Sequence, residues 1–357
     1  MHFAAILLSA AAALAFLPSA HAAEGRIGLA APLSGPFALL GEQMRSGAEA
    51  AAATFSSRRE TLEIADAGCT AEGGAAAARQ FVAAKVSVVT GFLCGEAIEA
   101  ALPILAEAGI PVITAGVRTD SLTDRRDRTG WPVFRLAPRA DGEAVATAAI
   151  LTGRWRGELF AVIDDGTIYG RDLAESFRLA AEQASLKPVY VDTFRPQLDN
   201  QIGLAGRLRK AGATHVFAGG DRDDIAVLGR NAAELGMNLT IAGGEALRSA
   251  EGEVDLVPGT LMIGLPEWED IAAQGIVQSL RESEVEPEGY VLPAYAAVEI
   301  AAAAIGLAPD SSGVSQVLQD RTFQTVFGPI AFDARGDLRE NPYRLFEYDG
   351  EAFRETD

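Results

Sequence analysis

The sequence predicts an α/β protein made of two lobes, each built around a parallel β-sheet. Short apolar, β-branched runs alternate with longer Ala-rich amphipathic segments, a pattern that is typical of βαβ units. The chain of 357 residues is also longer than one hydrophobic core usually organises. A second series of strand-like runs begins at residue 159, so each half of the chain can supply its own sheet.

Nine predicted strands fall into these two series. The first series covers residues 26–31, 62–66, 86–91 and 111–114, and the second covers residues 159–164, 188–194, 215–218, 239–242 and 260–263. Amphipathic patterns between them predict helices that include residues 41–55, 74–83, 97–107, 171–184 and 223–235. Residues 131–141 separate the two series, and we expect the chain to cross between the lobes there.

The N-terminal segment has the features of a secretory signal peptide. An apolar stretch at residues 3–17 is followed by Ala20-His21-Ala22, which matches the A-x-A cleavage pattern. The stretch is too short to span a bilayer comfortably. We therefore expect residues 1–22 to be a signal peptide that is cleaved near Ala22. Because the segment carries no Lys or Arg, an uncleaved membrane anchor is the alternative.

The charge of the chain argues against several classes of partner. Asp and Glu number 49 against 30 Lys and Arg, which gives a net charge of −19. A surface of this charge repels phosphate backbones and anionic lipid headgroups. We therefore expect no nucleic-acid partner and no binding to a membrane surface.

The residues that most enzymes and metal sites require are scarce. Cys69 and Cys94 are the two cysteines, and an even number in an exported chain favours a disulfide over a metal or thiolate site. Two of the three histidines, His2 and His21, lie in the predicted signal peptide. The expected mature chain therefore keeps a single histidine from which a Ser-His-Asp or Cys-His arrangement could be built. We expect neither enzymatic activity nor a metal or other cofactor; a hydrolase or lyase that uses only carboxylates is the alternative.

Glycine-rich loops follow the predicted strands. In open parallel sheets a ligand sits beyond the carboxyl ends of the strands, where loop amides and helix N-termini face outward. This rule selects the loops at residues 32–36, 92–96, 115–118, 167–170, 219–222 and 243–245. A small-molecule ligand is therefore expected between these loops.

Several short motifs follow one another in the order and spacing of a known family. They cover nearly all of the expected mature chain and include residues 27–36, 47–49, 66–69, 89–94, 169–170, 244–245, 295–297 and 328–338. In these motifs the chain resembles the leucine/isoleucine/valine-binding proteins of bacterial ABC transporters, which have the type I periplasmic binding fold.

The resemblance implies two Rossmann-like lobes with parallel sheets, joined by three crossovers and closing over a ligand in the cleft. It divides the chain into an N-terminal lobe, residues 23–138 and 265–326, and a C-terminal lobe, residues 139–264 and 327–357. It further implies a periplasmic monomer that delivers an amino acid or a related compound to an inner-membrane ABC permease and its ATPase. The alternatives are a ligand sensor for a membrane receptor and a binder of a non-amino-acid ligand such as an amide or aromatic acid.

The resemblance also implies a set of ligand-binding residues. The ligand carboxylate would meet the loops that contain Gly95, Glu96, Gly116 and Arg118, and its ammonium group would meet Glu245. Tyr169 would line the pocket from the second lobe. The alternatives are an exposed turn acid for Glu245 and a ring packed on the lobe surface for Tyr169.

Departures from the family pattern fall at these same positions. Gly95 replaces the usual Ser or Thr, Arg118 stands where a Thr is general, and Asp221 stands where branched-chain binders carry an aromatic residue. An arginine facing Asp221 and Glu245 predicts a pocket more polar than leucine requires, suited to a polar or dibasic amino acid, an amide or a zwitterion. The alternative is a salt bridge between Arg118 and Asp221 that only stabilises closure.

Overall fold

The computed structural model describes residues 25–54 and 61–356. The predicted signal peptide, residues 1–22, therefore lies outside the described residues. Within them, two β-sheets each carry their own helices and hydrophobic core, which confirms the predicted α/β fold.

The first sheet has five parallel strands in the order β2-β1-β3-β4-β5. These strands are β1 (Arg26–Ala31), β2 (Thr61–Asp66), β3 (Val88–Gly91), β4 (Val112–Thr114) and β5 (Val133–Arg135). The helices between them are α1 (Ala38–Thr54), α2 (Ala71–Ala84), α3 (Gly95–Glu107) and the short α4 (Ser121–Asp124) and α5 (Arg126–Thr129). The Thr70 hydroxyl accepts the Gly73 amide at 3.1 Å and so caps the start of α2.

The second sheet takes five parallel strands from the second series. These are β6 (Phe160–Asp164), β7 (Tyr190–Thr193), β8 (His215–Gly219), β9 (Thr240–Gly243) and β10 (Leu261–Gly264). The accompanying helices are α6 (Gly142–Arg154), α7 (Ile168–Gln183), α8 (Ile202–Ala211) and α9 (Arg222–Glu234). Each of the nine predicted strands is present to within two residues at either end.

The chain then returns to the first core. It forms α10 (Trp268–Ile271), α11 (Gln274–Glu282), α12 (Val291–Leu307), α13 (Val314–Asp320) and the antiparallel hairpin of β11 (Thr322–Thr325) and β12 (Gly328–Ala331). Helix α12 is apolar on all sides because it is buried in this core. Finally β13 (Arg344–Tyr348) and β14 (Phe353–Glu355) join the second sheet, whose order is β14-β13-β10-β9-β8-β6-β7.

The chain therefore passes between the lobes three times, near residues 136–141, 265–267 and 339–343. Phe332 is fully buried in the first core, and Phe327, Ile330 and Leu338 pack against it. This packing groups residues 327–338 with the first lobe. We therefore propose moving the boundary that was predicted at residue 327 to about residue 339; the rest of the lobe division remains a prediction.

A buried ion pair ties the first passage to the third. The Arg135 side chain is fully buried at the end of β5, and its Nε donates to Asp337 Oδ1 at 2.7 Å. Arg139, in the first passage, donates to Asp337 Oδ2 at 2.8 Å, and the Thr123 hydroxyl lies 2.9 Å from the same oxygen. Arg135 Nη1 also donates to the Thr119 carbonyl at 2.6 Å. Asp337 thus balances a buried guanidinium next to the third passage.

Replacing Asp337 should be strongly destabilising, because it leaves the Arg135 charge buried without its partner. We expect Asp337→Ala to lower the free energy of unfolding in urea by about 3–5 kcal/mol. The matched control is Arg335→Ala, since the ion pair of Arg335 with Asp124 spans 3.1 Å between side chains that are 63% and 41% exposed. That control should cost less than about 1 kcal/mol. Equal losses in the two variants would contradict a structural role for the buried pair.

A half-buried acid, Glu299, interrupts the otherwise apolar α12. Glu299 Oε2 accepts the Val326 amide at 2.6 Å and so anchors the β11–β12 hairpin to the helix. Burial raises the pKa of Glu299 from its ordinary 4.5 to about 7. A carboxyl with a raised pKa favours the folded state most when it is protonated, so this contribution is complete below about pH 4.5 and is lost as the pH rises through 7.

Glu299→Gln should remove this pH dependence, because the amide oxygen can still accept the Val326 amide but cannot ionise. We expect the variant to exceed the wild type in unfolding free energy by about 1–2 kcal/mol at pH 8, a value reduced for the partial solvent screening of the group. At pH 4 the two proteins should be equal. Urea unfolding across this range measures the difference. Glu347→Gln, at an exposed position of β13, is the control, and a pH-independent effect at Glu299 would contradict the prediction.

Candidate ligand-binding site

The loops after β3 and β4 form the first-lobe side of the cleft. Cys94 directly precedes α3 and forms the predicted disulfide with Cys69, with their Cα atoms 5.3 Å apart. The half-buried Gly95 is the first residue of α3, so its amide belongs to the positive end of the helix. At Gly116 a Cβ atom would lie 2.9 Å from Leu93 Cα. Only glycine lets the two loops approach this closely.

Two predicted site residues lie apart from the other charged groups of the cleft. Glu96 Oε1 accepts the Ala71 amide at 3.3 Å, so this exposed side chain turns toward the start of α2. Asp221 is exposed at the start of α9 and lines a surface groove of about 410 Å³ with Asp223 and Asp224. The ion pairs within the described residues do not include one between Asp221 and Arg118. Contact of Glu96 or Asp221 with a ligand stays a prediction.

Arg118 reaches from the first lobe to the third passage. Its Nη2 donates to the Tyr343 hydroxyl, and the guanidinium carbon lies 6.0 Å from the centroid of that ring. Tyr343 is only 4% exposed, and burial raises the pKa of its hydroxyl. In the described part of the chain Arg118 forms no ion pair, so its remaining N–H donors are available to an anionic group.

The second lobe presents a buried acid, Glu143, at the start of α6. Its side chain is 8% exposed, and Oε1 accepts both the Tyr169 hydroxyl and the Glu245 amide at 2.7 Å. Burial nevertheless raises the pKa of Glu143. A Cβ atom on Gly244 would lie 2.3 Å from this oxygen and 2.4 Å from the Tyr169 hydroxyl. Glycine is therefore required for the three groups to meet.

Tyr169 and Glu245 complete the second-lobe wall of the cleft, next to Glu143. The Tyr169 hydroxyl accepts the Ala246 amide at 3.2 Å, and burial raises its pKa. Glu245 Oε1 accepts the Leu265 amide at 3.4 Å, which ties the acid to the second passage. The Glu245 charge contributes to the raised pKa of Glu143, so the two carboxylates lie close together.

These groups form one set across the cleft, here called the cleft cluster. The charge of Arg118 acts on the pKa of Glu143 in the second lobe and on the pKa of Tyr290 at the start of α12. Burial raises the Tyr290 pKa, whereas Arg118 opposes that change. The cleft cluster comprises Arg118, Glu143, Tyr169, Glu245, Tyr290 and Tyr343.

Half of the cleft cluster was predicted from the sequence. Arg118, Tyr169 and Glu245 follow strands β4, β6 and β9, where a ligand site was expected. Three members were missed. Glu143 and Tyr343 follow or belong to passages between the lobes, and Tyr290 starts helix α12, which follows none of the predicted strands. The signal for Glu143 is its place at the start of a helix directly after the predicted crossing at residues 131–141.

The cleft cluster can hold a small molecule that carries charges of both signs. Arg118 offers donors from one lobe, and two carboxylates offer acceptors from the other. No group of three or more His, Cys, Asp or Glu side chains within residues 25–54 and 61–356 is arranged to hold a metal ion. In the same residues, no helix has the length and apolar character needed to cross a membrane.

Comparison with known proteins reveals relatives along almost the whole chain. The "Leu/Ile/Val-binding protein homolog 3" of Brucella melitensis is 29% identical over 354 residues, which cover 95% of each chain. The "Leucine-, isoleucine-, valine-, threonine-, and alanine-binding protein" of Pseudomonas aeruginosa is 26% identical over 98% of this chain and 96% of its own.

Solved structures show the same fold. A putative branched-chain amino acid ABC transporter from Rhodospirillum rubrum has a TM-score of 0.77 at 20% identity, covering 93% of this chain and 99% of its own. A substrate-binding protein from Desulfitobacterium hafniense in complex with Leu has a TM-score of 0.63 at 24% identity, with the same coverage. These likenesses confirm the predicted type I periplasmic binding fold.

The family model for periplasmic binding proteins matches residues 24–352. Members of this family are solute-binding proteins of ABC transporters and not enzymes, as was predicted. The chain therefore belongs to the periplasmic binding protein family.

Proposed function

We propose that this chain captures an amino acid or a related small polar compound in the periplasm for an ABC importer of the branched-chain amino acid type. The cleft cluster carries the proposal, because it offers a cation from one lobe and carboxylates from the other to a single small molecule. The relatives named for binding leucine, isoleucine and valine support the amino-acid class.

An amino acid matches the cleft cluster group by group. Its carboxylate suits the free donors of Arg118 together with the loop amides near Gly95 and Gly116. Its ammonium group suits the carboxylate of Glu245, which the Leu265 amide holds at the cleft. Enclosed charges recover their desolvation cost only when each is paired in this way.

We infer that binding proceeds by hinge closure at the three passages. A ligand that contacts both lobes binds the closed form better, so it shifts the equilibrium between open and closed forms toward closure. The closed monomer would then dock on an inner-membrane permease that works with an ATPase. The signal peptide would direct export and would be cleaved near Ala22.

An aromatic acid is the second candidate ligand. Tyr290 and Tyr343 supply aromatic rings near Arg118, and Tyr169 adds a ring from the second lobe, an arrangement that also suits a ring with one carboxylate. Solute-binding proteins of Rhodopseudomonas palustris share the fold, and two of them were solved with 3,4-dihydroxybenzoic acid and 4-hydroxybenzoate, at TM-scores of 0.59.

A thermal-shift screen of the refolded, ligand-stripped protein tests the proposal. We expect an amino acid at about 100 times its Kd to stabilise the native state by about 2.7 kcal/mol, or about 5 °C in Tm. Arg118→Ala should abolish the shift, whereas the exposed control Arg335→Ala should retain it. Shifts with benzoates alone would replace the amino acid by an aromatic acid, and no shift with either class would refute the proposal.

A further inference from the structure

We propose that Glu143 is a second cation acceptor of the cleft, and that it makes the pocket selective for a dibasic amino acid. This inference rests on the proposed function and names the class of amino acid. It follows from one unused carboxylate oxygen, from the charge balance of the cleft cluster and from the rigid placement of Glu143.

The two oxygens of Glu143 have different surroundings. Oε1 accepts the Tyr169 hydroxyl and the Glu245 amide, both at 2.7 Å. Oε2 receives no hydrogen bond from any residue that the structure describes, although the side chain is only 8% exposed. A carboxylate can accept about four hydrogen bonds. Glu143 therefore has acceptor capacity left for a bound molecule.

The charges of the cleft cluster do not balance without a ligand. Glu143 and Glu245 contribute two negative charges, and Arg118 contributes one positive charge. A neutral amino acid would pair its carboxylate with Arg118 and its ammonium with one acid, which leaves the other acid enclosed without a counter-charge. A dibasic amino acid brings a second cation and satisfies both acids.

The surroundings of Glu143 hold it in this position. Tyr169 and the backbone of Glu245 fix Oε1, and the absence of a side chain at Gly244 leaves room for both contacts. The direction of the Glu143 pKa supports the same conclusion, since burial raises it despite two hydrogen bonds and the distant charge of Arg118. The carboxylate thus lies in a site that would gain from a nearby cation.

The competing role for Glu143 is purely structural, as an anchor for the Tyr169 ring. The two roles differ in one measurable property, because an anchor supports every ligand equally whereas a cation acceptor favours a charged side chain. Arginine and citrulline are suitable probes, since citrulline has nearly the shape of arginine but a neutral side chain. The ratio of their affinities reports the charge recognition alone.

The experiment is calorimetric titration of the refolded, ligand-stripped protein with arginine, lysine, citrulline and leucine. We expect wild-type protein to bind arginine at least about 30-fold more tightly than citrulline. Glu143→Gln keeps the shape of the side chain and should reduce that ratio to within about threefold. Glu347→Gln, at an exposed position of β13, makes the same change in net charge and should leave the ratio unchanged.

Each outcome has a distinct meaning. Equal affinity of the wild type for arginine and citrulline would overturn the inference, even if Glu143→Gln does not fold, while leaving amino-acid capture intact. An equal loss for every amino acid in a folded Glu143→Gln variant would assign the residue to positioning Tyr169 and would also overturn it. If no amino acid binds the wild type, the proposed function fails together with the inference.

Discussion

The ion pair between Arg135 and Asp337 ties together the segments that lead into two of the three passages between the lobes. A fully buried guanidinium needs a partner, and Asp337 meets that need from the segment just before the third passage, while Arg139 approaches Asp337 from the first. Burying these charges is costly, so the arrangement adds less stability than its contacts suggest. Its effect is geometric, because it holds two separate passages at one point. When two passages of a hinge are held together, the lobes can rotate about that point but cannot shift along each other.

The cleft cluster is divided between the two lobes that these passages join. The Glu143, Tyr169 and Glu245 groups are already joined by hydrogen bonds within the second lobe, whereas Arg118 approaches from the first and rests on Tyr343 in the third passage. One wall is therefore built before the ligand arrives. The two lobes present complementary charges to the same molecule, and a ligand that contacts both gains most from closure. Pre-organisation of one wall lowers the ordering cost of binding.

The sequence predicts the sheets well and the cleft in part. Strands such as β1 and β8 are short apolar runs between turns, which is the pattern expected of a parallel strand that is covered on both faces. Arg118 and Glu245 could be named as candidates because they follow strands β4 and β9, where a ligand site is expected. Residues 327–338 were predicted to belong to the second lobe, because an alternating strand pattern does not show which core it joins. The burial of Phe332 instead groups them with the first core. Glu143 was missed because hydrophobic periodicity identifies helices and strands but gives no signal for a residue beside a crossover between lobes.

Net charge and local charge have separate consequences in this protein. The value of −19 for the whole chain describes a surface exposed to water, where salt screens interactions beyond about 10 Å. Inside the cleft the same kind of acid behaves differently, because Glu143 is buried and the charges of Glu245 and Arg118 both act on it. A single charge on a ligand therefore contributes more to the binding free energy inside the cleft than the charge of the whole exterior surface does. Ligand selectivity in this fold can change through one buried acid while the exterior stays the same.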